Sequence, residues 1–328
     1  MKRTLLSIAA LLLSGTAAAE DVKIVLWNGE ELFDLDRVNA RRADIEAFAG
    51  ATRPDILLID EVCSLAVVDE VRRIVEAAVG AEGGTYHAYC SDFTQRDDQR
   101  HGSFEVGIVS RFRADQVVEF DVQTDNKLYG RDGEPEEVRL DPSSLLKLGL
   151  RRAGSERGFL WARFDDLKLT VCVAHLKSSQ GAGGEADYEN SLKREFIAAA
   201  MALSVLNDKE LFPDYSMAVI GDLNVGATDS AKNGGDLDVD SFEAGEGDLY
   251  DDTHALLGGG LVAGLRMTNL TEGVGETYFD PQGRFEGTGP IDNIYVTGAG
   301  EGRFATAEKG TDRFNSDHFP VWTVYEAP

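Results

Sequence analysis

Polar residues with catalytic potential stop a series of apolar runs along this 328-residue chain. Asn28 ends KIVLWN and Glu30 follows it. Glu61 ends DILLIDE, and His175 lies near the end of LTVCVAHLK. Asp222 and Asn224 end MAVIGDLN, Asp292 opens IDNIYV, and Asp317 and His318 precede VWTVYE. Carboxylate and amide oxygens are hard ligands, suited to Mg2+, Mn2+ or Ca2+ rather than zinc. A carboxylate beside a histidine orients the imidazole and stabilises its charged form. Such a set suits attack of water on a phosphate ester, with cations neutralising the developing charge and a base aligning the water. No serine or cysteine nucleophile motif competes with that reading. Taken singly, an Asn or Asp at a strand end is a turn residue, and His175 reads equally well as a hydrogen-bonded core histidine. Glu61 at the edge of an apolar run is harder to dismiss, because an unpaired buried carboxylate is costly. The inference rests on the set.

The elements that must carry these residues are short Val-, Ile-, Leu- and Tyr-rich runs at 22–28, 55–62, 85–90, 106–112, 167–177, 217–225, 291–298 and 321–326, which read as strands. Apolar residues at helical spacing mark 38–49, 64–79 and 186–208. Several strands have no helix between them, which suits packed sheets flanked by helices better than an alternating barrel. Charged, turn-rich stretches at 126–144 and 226–252 read as loops. No fixed-period repeat is present, and residues 20–328 read as one domain.

Residues 1–19, MKRTLLSIAALLLSGTAAA, combine a basic start, an apolar run and a small-residue end, the pattern of a secretory signal. The apolar run is shorter than the ~20 residues a bilayer-spanning helix needs. Export, to the periplasm or the medium, places Cys63, Cys90 and Cys172 in an oxidising compartment, with at most one disulfide among them and the pairing open. Buried small hydrophobes is an equal reading of the three. A net charge of −26 argues against tight passive binding of polyanions but not against an enzyme that meets a phosphate through bound cations.

The runs LWNGEELFD, PDILLIDEV, VGIVSRF, VAHLKS, VIGDLNV, IDNIYV and NSDHFPVW, in this order, resemble the endonuclease/exonuclease/phosphatase family, the group of pancreatic deoxyribonuclease and the abasic-site endonucleases. The resemblance spans nearly the whole chain after residue 19. It implies an α/β fold, a four-layer sandwich of two mixed β-sheets packed face to face with helices on both outer faces. It implies that Glu61 holds a divalent metal, with Asn28, Glu30 and Asp317 completing or supporting that site. Asp222 aligns the attacking water, Asn224 contacts the scissile phosphate, and His318 stands at that phosphate with Asp292 orienting it. His175 resembles a second histidine of the deoxyribonuclease branch, and Arg157, before GFLWARF, a phosphate-contacting arginine. Two positions depart from the pattern: Asp60 stands where many members have Gln, and Glu30 where others have Asp or another acid.

The expected function is therefore that of an exported Mg2+- or Mn2+-dependent phosphodiesterase acting as a monomer, a DNase-like endonuclease with DNA as substrate and no stable membrane partner. The same chemistry serves sphingomyelin, phosphoinositides and other phosphate esters within the family, and a binding module that kept the fold without catalysis is a different class of reading. No basic stripe selects DNA; LRRAGSERG at 150–158 is a modest basic patch that reads as a solvated face. The acidic run GGDLDVDSFEAGEGD at 234–248 superficially resembles a structural Ca2+ loop. Ser241 replaces the required Gly and Gly247 the closing Glu, so a solvated loop is preferred there.

Overall fold

The run VKIVLWN forms the heart of strand β1 (Asp21–Leu32), which is buried without interruption from Ile24 to Gly29. A strand reads as continuously apolar when both of its faces are covered. Here Val22, Ile24 and Leu26 pack against a second sheet while Val25 and Trp27 pack under helices. The computed structural model describes residues 21–80, 84–93, 104–120, 127–129, 135–137, 157–178, 185–226, 251–281, 289–298 and 301–328.

β1 lies between β2 (Ile56–Val62), parallel to it, and the last strand, β14 (Val321–Glu326), antiparallel to it. β4 (Glu105–Ser110) and β3 (His87–Cys90) extend this sheet on one side, and β13 (Glu308–Lys309) on the other. The second sheet centres on β10 (Ser216–Asp222), parallel to β9 (Leu169–His175) and antiparallel to β12 (Asp292–Gly298). Its outer strands are β11 (Thr268–Asn269) on one edge and, on the other, β8 (Phe159–Phe164), β5 (Gln116–Phe120), β6 (Lys127–Tyr129) and β7 (Pro135–Glu137). Both sheets are mixed, of six and eight strands among the described residues.

Three layers of apolar contact separate four layers of structure. Ile24, Leu58 and Ile108 of one sheet meet Val171, Ile220 and Ile294 of the other. Helix Leu65–Val79 buries Val67, Val68, Val71, Ile74 and Val75, a stripe at helical spacing, against the outer face of the first sheet. The long helix Glu185–Leu211 lays Phe196, Ile197, Ala200, Met201 and Val205 on Cys172, Met217 and Val219 of the second. The expected four-layer α/β sandwich is the observed fold.

The differences from the sequence reading are local. The stretch 38–49 is two helices, Leu35–Ala40 and Arg42–Thr52, broken at Arg41, whose guanidinium donates to Gly29 O and Glu30 O instead of lying along the helix. FLWARF is a strand, the hairpin partner of β9 through a tight turn closed by Lys168 at φ 48°. The loop expected at 126–144 contains β6 and β7, paired with each other. Helix Thr253–Gly258 follows directly on the second expected loop. Cys63, Cys90 and Cys172 are free thiols. The signal segment, the basic residues 150–156 and the acidic run 234–248 lie outside the described residues.

Beside Ala174 of β9, Gly221 of β10 leaves no room for a side chain. A Cβ there would stand 1.9 Å from the Ala174 carbonyl oxygen. Gly221→Ala therefore pushes β10 off β9 one residue from Asp222. The expected loss is about 1–3 kcal/mol in urea unfolding, together with a drop in turnover. An unchanged unfolding midpoint would show that the two strands tolerate the added methyl.

Candidate active site

Register gathers the polar residues. In the first sheet Asn28 pairs with Asp60; in the second Asp222 pairs with His175 on one side and Asp292 on the other. Side chains alternate along a strand, and Ile24 and Leu26, Ile56 and Leu58, Val171 and Val173, Ala218 and Ile220, and Ile294 and Val296 all face the core between the sheets. Two residues further on each strand, the same face carries Asn28, Asp60, His175 and Asp222; two residues before Ile294 it carries Asp292. The site is thus the end of the inter-sheet core, where apolar residues give way to polar ones still on the inner face.

Other residues reach the same place through irregular backbone. The first sheet's register shifts between Asp60 and Val62, and Glu61 there has φ 61°. Glu30 and Glu31 have φ 49° and 55°, and Asn224 φ 56°. Non-glycine residues at positive φ are uncommon, and Asn tolerates it best. Bulges of this kind re-aim a side chain beside a functional site. Glu61 consequently turns to the rim, where Oε1 accepts from Asn28 Nδ2 at 3.3 Å and Oε2 from Glu31 N–H at 2.8 Å.

Asp222 is the centre of the network. Its Oδ2 accepts from Asn28 Nδ2 at 3.2 Å and lies 3.5 Å from His175 Nε2 and 3.6 Å from His318 Nε2. Its Oδ1 accepts the Asn224 N–H at 2.9 Å. His318 Nδ1 is 2.8 Å from Asp292 Oδ2. Asn224 Nδ2 donates to Leu176 O at 3.0 Å. Arg157, buried, also donates to Leu176 O and stacks over Phe104, whose ring meets His175 edge-on.

Burial sets the charges. Burial alone would lower the His318 pKa, but Asp292, Asp222 and Asp317 outweigh it and hold the imidazole protonated well above its usual range. His175 goes the other way: burial, then the cations Arg157, His318 and Lys177, keep it neutral. Burial, with Asp292 and Glu61 adding to it, pushes Asp222 up to about 7 despite the nearby imidazolium. A fixed cation therefore sits beside a carboxyl poised to exchange a proton near neutrality, the pairing that general acid–base chemistry needs.

A model of the endonuclease/exonuclease/phosphatase family matches residues 25–318. The chain belongs to that family. Solved structures agree with the fold. An endonuclease/exonuclease/phosphatase from Beutenbergia cavernae is 17% identical, with 94% of this chain and 72% of that one covered at a TM-score of 0.56. The 3' phosphatase NExo from Neisseria, bound to product DNA hairpin, is 16% identical, with 93% and 99% covered at 0.53. Truncated TDP2 from Caenorhabditis elegans is 15% identical, with 94% and 98% covered at 0.51. No curated protein matches the chain.

The family is divalent-metal dependent, and the residues present fit such an ion. Glu61, Glu30 and Asp317 offer carboxylate oxygens and Asn28 an amide oxygen, the hard donor set such an ion takes. At the rim, partial burial raises the Glu30 pKa, and the carboxylates of Asp317 and Glu61 raise it further against Arg41. Carboxylates crowded in this way are relieved by a hard cation. Ligand atoms of Asp222, Asp292 and His318 also lie within 4.8 Å of one another. His318 Nδ1 is engaged by Asp292, however, so that trio is better read as a hydrogen-bonded ion cluster. The half-exposed set of Glu61, Glu30 and Asp317, with Asn28 behind it, is the one open to an incoming ion.

All the residues expected from the sequence converge here; Arg157 does so behind His175, on backbone carbonyls. Three supporting residues were not expected. Asp60, fully buried, accepts the Asp222 N–H at 3.2 Å, and burial, with Asp222 and Asp292, pushes its pKa well above the usual carboxyl range. The raised pKa favours the neutral form of Asp60, which suits a position where the family resembled often has Gln. Ser316 Oγ donates to Asn28 O at 2.7 Å and accepts the His318 N–H at 3.0 Å, tying the last strand's approach to the end of β1. Thr277 Oγ1 accepts the N–H groups of Ile291 and Asp292. Ser316 was visible two residues before His318. Thr277 had no signal, because no strand periodicity leads to it.

Proposed function

We propose that this protein is an exported, divalent-metal-dependent phosphodiesterase that cuts DNA as an endonuclease. The observation that carries the reading is the Asp292–His318–Asp222 arrangement: an imidazolium and a carboxyl titrating near 7 that reach toward one spot beside the rim carboxylates. Water attacks phosphorus, a new P–O bond forms and the P–O bond to the leaving oxygen breaks, that oxygen keeping the bond's electron pair and taking a proton from solvent to depart as an alcohol. Asp222 aligns the water and takes its proton. His318 Nε2–H, with Asn224 and His175, holds the phosphoryl oxygens where negative charge builds. Glu61, with Glu30, Asp317 and Asn28, would hold the metal, which supplies further neutralisation of phosphate charge. DNA as the substrate is supported by NExo, a 3' phosphatase similar in fold and bound to a product DNA hairpin. Export is supported by the sequence of residues 1–19 alone.

Residues 20–328 incubated with supercoiled plasmid are expected to nick it with Mg2+ or Mn2+ and to leave it intact with chelator. Intact plasmid in the presence of either metal, alongside release of product from a small phosphodiester or from sphingomyelin, would overturn the substrate. Cutting that survives the chelator would overturn the metal.

A further inference from the structure

Next to His318 the chain builds an aromatic and cationic surface that the chemistry above does not use. Residues 277–279 run antiparallel beside 317–319: Phe319 N–H donates to Thr277 O at 2.8 Å and Phe279 N–H to Asp317 O at 2.7 Å. Tyr278 bridges His318 within this ladder, its ring meeting the imidazole at 5.0 Å. Phe279 is thereby fixed one residue from the catalytic imidazole's neighbour and beside the rim residue Asp317. It is 47% exposed, the only exposed aromatic among the described residues. The Arg313 guanidinium lies on its ring, 4.1 Å from the centroid. Lys309 stands 5.0 Å over the neighbouring Phe319 ring, so two cations border the site in a chain of net charge −26. Among the described residues no carboxylate pairs with Arg313.

We propose that Phe279 and Arg313 form a subsite that stacks an unpaired nucleobase next to the scissile phosphate, so that the enzyme selects single-stranded or frayed segments over continuous duplex. The proposal rests on the nuclease reading and names its substrate class. Stacking on an aromatic ring captures any base with a free face, whatever its identity. Bases inside a duplex have neither face free and must first be unstacked at a cost. A guanidinium stacked on one ring keeps its N–H edges available to a phosphate. A long duplex footprint on phosphates alone would need many cations, whereas stacking one base needs only the ring and the guanidinium beside it.

Equilibrium binding is measured by fluorescence anisotropy in chelator, so that nothing is cut, with a labelled oligothymidylate, an abasic strand of equal length and a duplex hairpin. Phe279→Ala is expected to weaken oligothymidylate binding by about 5- to 100-fold and to leave the abasic strand unaffected. Phe279→Trp is expected to retain binding, and Arg313→Gln to lower the slope of log affinity against log salt by about 0.7. The Phe279 side chain is exposed, so its replacement leaves the core intact, and a melting curve is recorded for each variant to check that it folds. Equal losses on both strands, no loss on either, or no binding by the wild type would overturn the subsite. The same oligonucleotides with Mn2+ separate the two readings. Platform-dependent binding without cleavage sinks the nuclease and keeps the subsite; cleavage with Phe279→Ala binding as wild type keeps the nuclease and sinks the subsite.

Discussion

His318→Ala lowers kcat on a phosphodiester by about 10³-fold, within the roughly 10²–10⁴ that a positioned acid, base or charge donor contributes. The expectation follows from what surrounds the ring. His318 is buried, and the carboxylates that keep it charged are Asp292 at 2.8 Å and Asp222 at 3.6 Å. That charge is built in before substrate arrives, and Nδ1 is fixed by Asp292, so Nε2–H is the end left to meet a phosphoryl oxygen. The loss falls on kcat more than on KM, because the charge it neutralises grows toward the transition state. Alanine also removes a cation from among Asp60, Asp222 and Asp292, and unpaired buried carboxylates destabilise a fold. Thermal unfolding must therefore accompany the kinetics, with His318→Gln as the variant that keeps volume and a donor. Asp292→Asn gives an intermediate loss, since the ring stays in place but its charge loses its main support. Turnover of folded His318→Ala within a few-fold of wild type would remove His318 from the chemistry.

The strand-end residues were legible because the sheets' periodicity runs straight into the site. Ile24, Leu26 and Asn28 share a face, as do Ala218, Ile220 and Asp222, so a polar residue ending an apolar run already stood on the inner side. What was not legible depends on backbone that leaves the regular pattern or on contacts distant in sequence. Strict alternation from Leu58 and Asp60 places Glu61 on the outer face; only its positive φ and the register shift return it to the rim. Thr277 orders Asp292 from a segment with no strand period, and Arg41 breaks a helix to donate to the carbonyls of Gly29, Glu30 and Phe314. The raised pKa of Asp60 depends on burial and on three carboxyls meeting from both sheets, which no window of sequence contains. FLWARF carries no turn signal that marks it as a strand, because its hairpin with β9 is closed by a compact 3-10 turn without glycine, Lys168 taking the left-handed position instead.

Asp222→Asn is expected to lower kcat/KM by about 10²–10⁴ and, more tellingly, to erase one limb of the pH profile. Asp222 takes a proton from water only when it is deprotonated, and burial with Asp292 and Glu61 pushes its pKa up to about 7. Wild-type kcat/KM therefore rises with pH through a midpoint near 7. It falls again at higher pH, where His318 loses its proton, above the ordinary histidine range. The two groups lie 3.6 Å apart and titrate as a pair, so the limbs belong to the cluster and each variant is needed to assign them. In Asp222→Asn the ascending limb disappears and the residual rate is flat below neutrality. In Asp292→Asn the descending limb moves to lower pH, because the nearest carboxylate no longer supports the imidazolium. The amide in Asp222→Asn can still accept the Asn224 N–H, so the local backbone is kept while the base is lost. A wild-type profile that stays flat from pH 5 to 8 would take the proton from water by some other route and leave Asp222 as a positioning group alone.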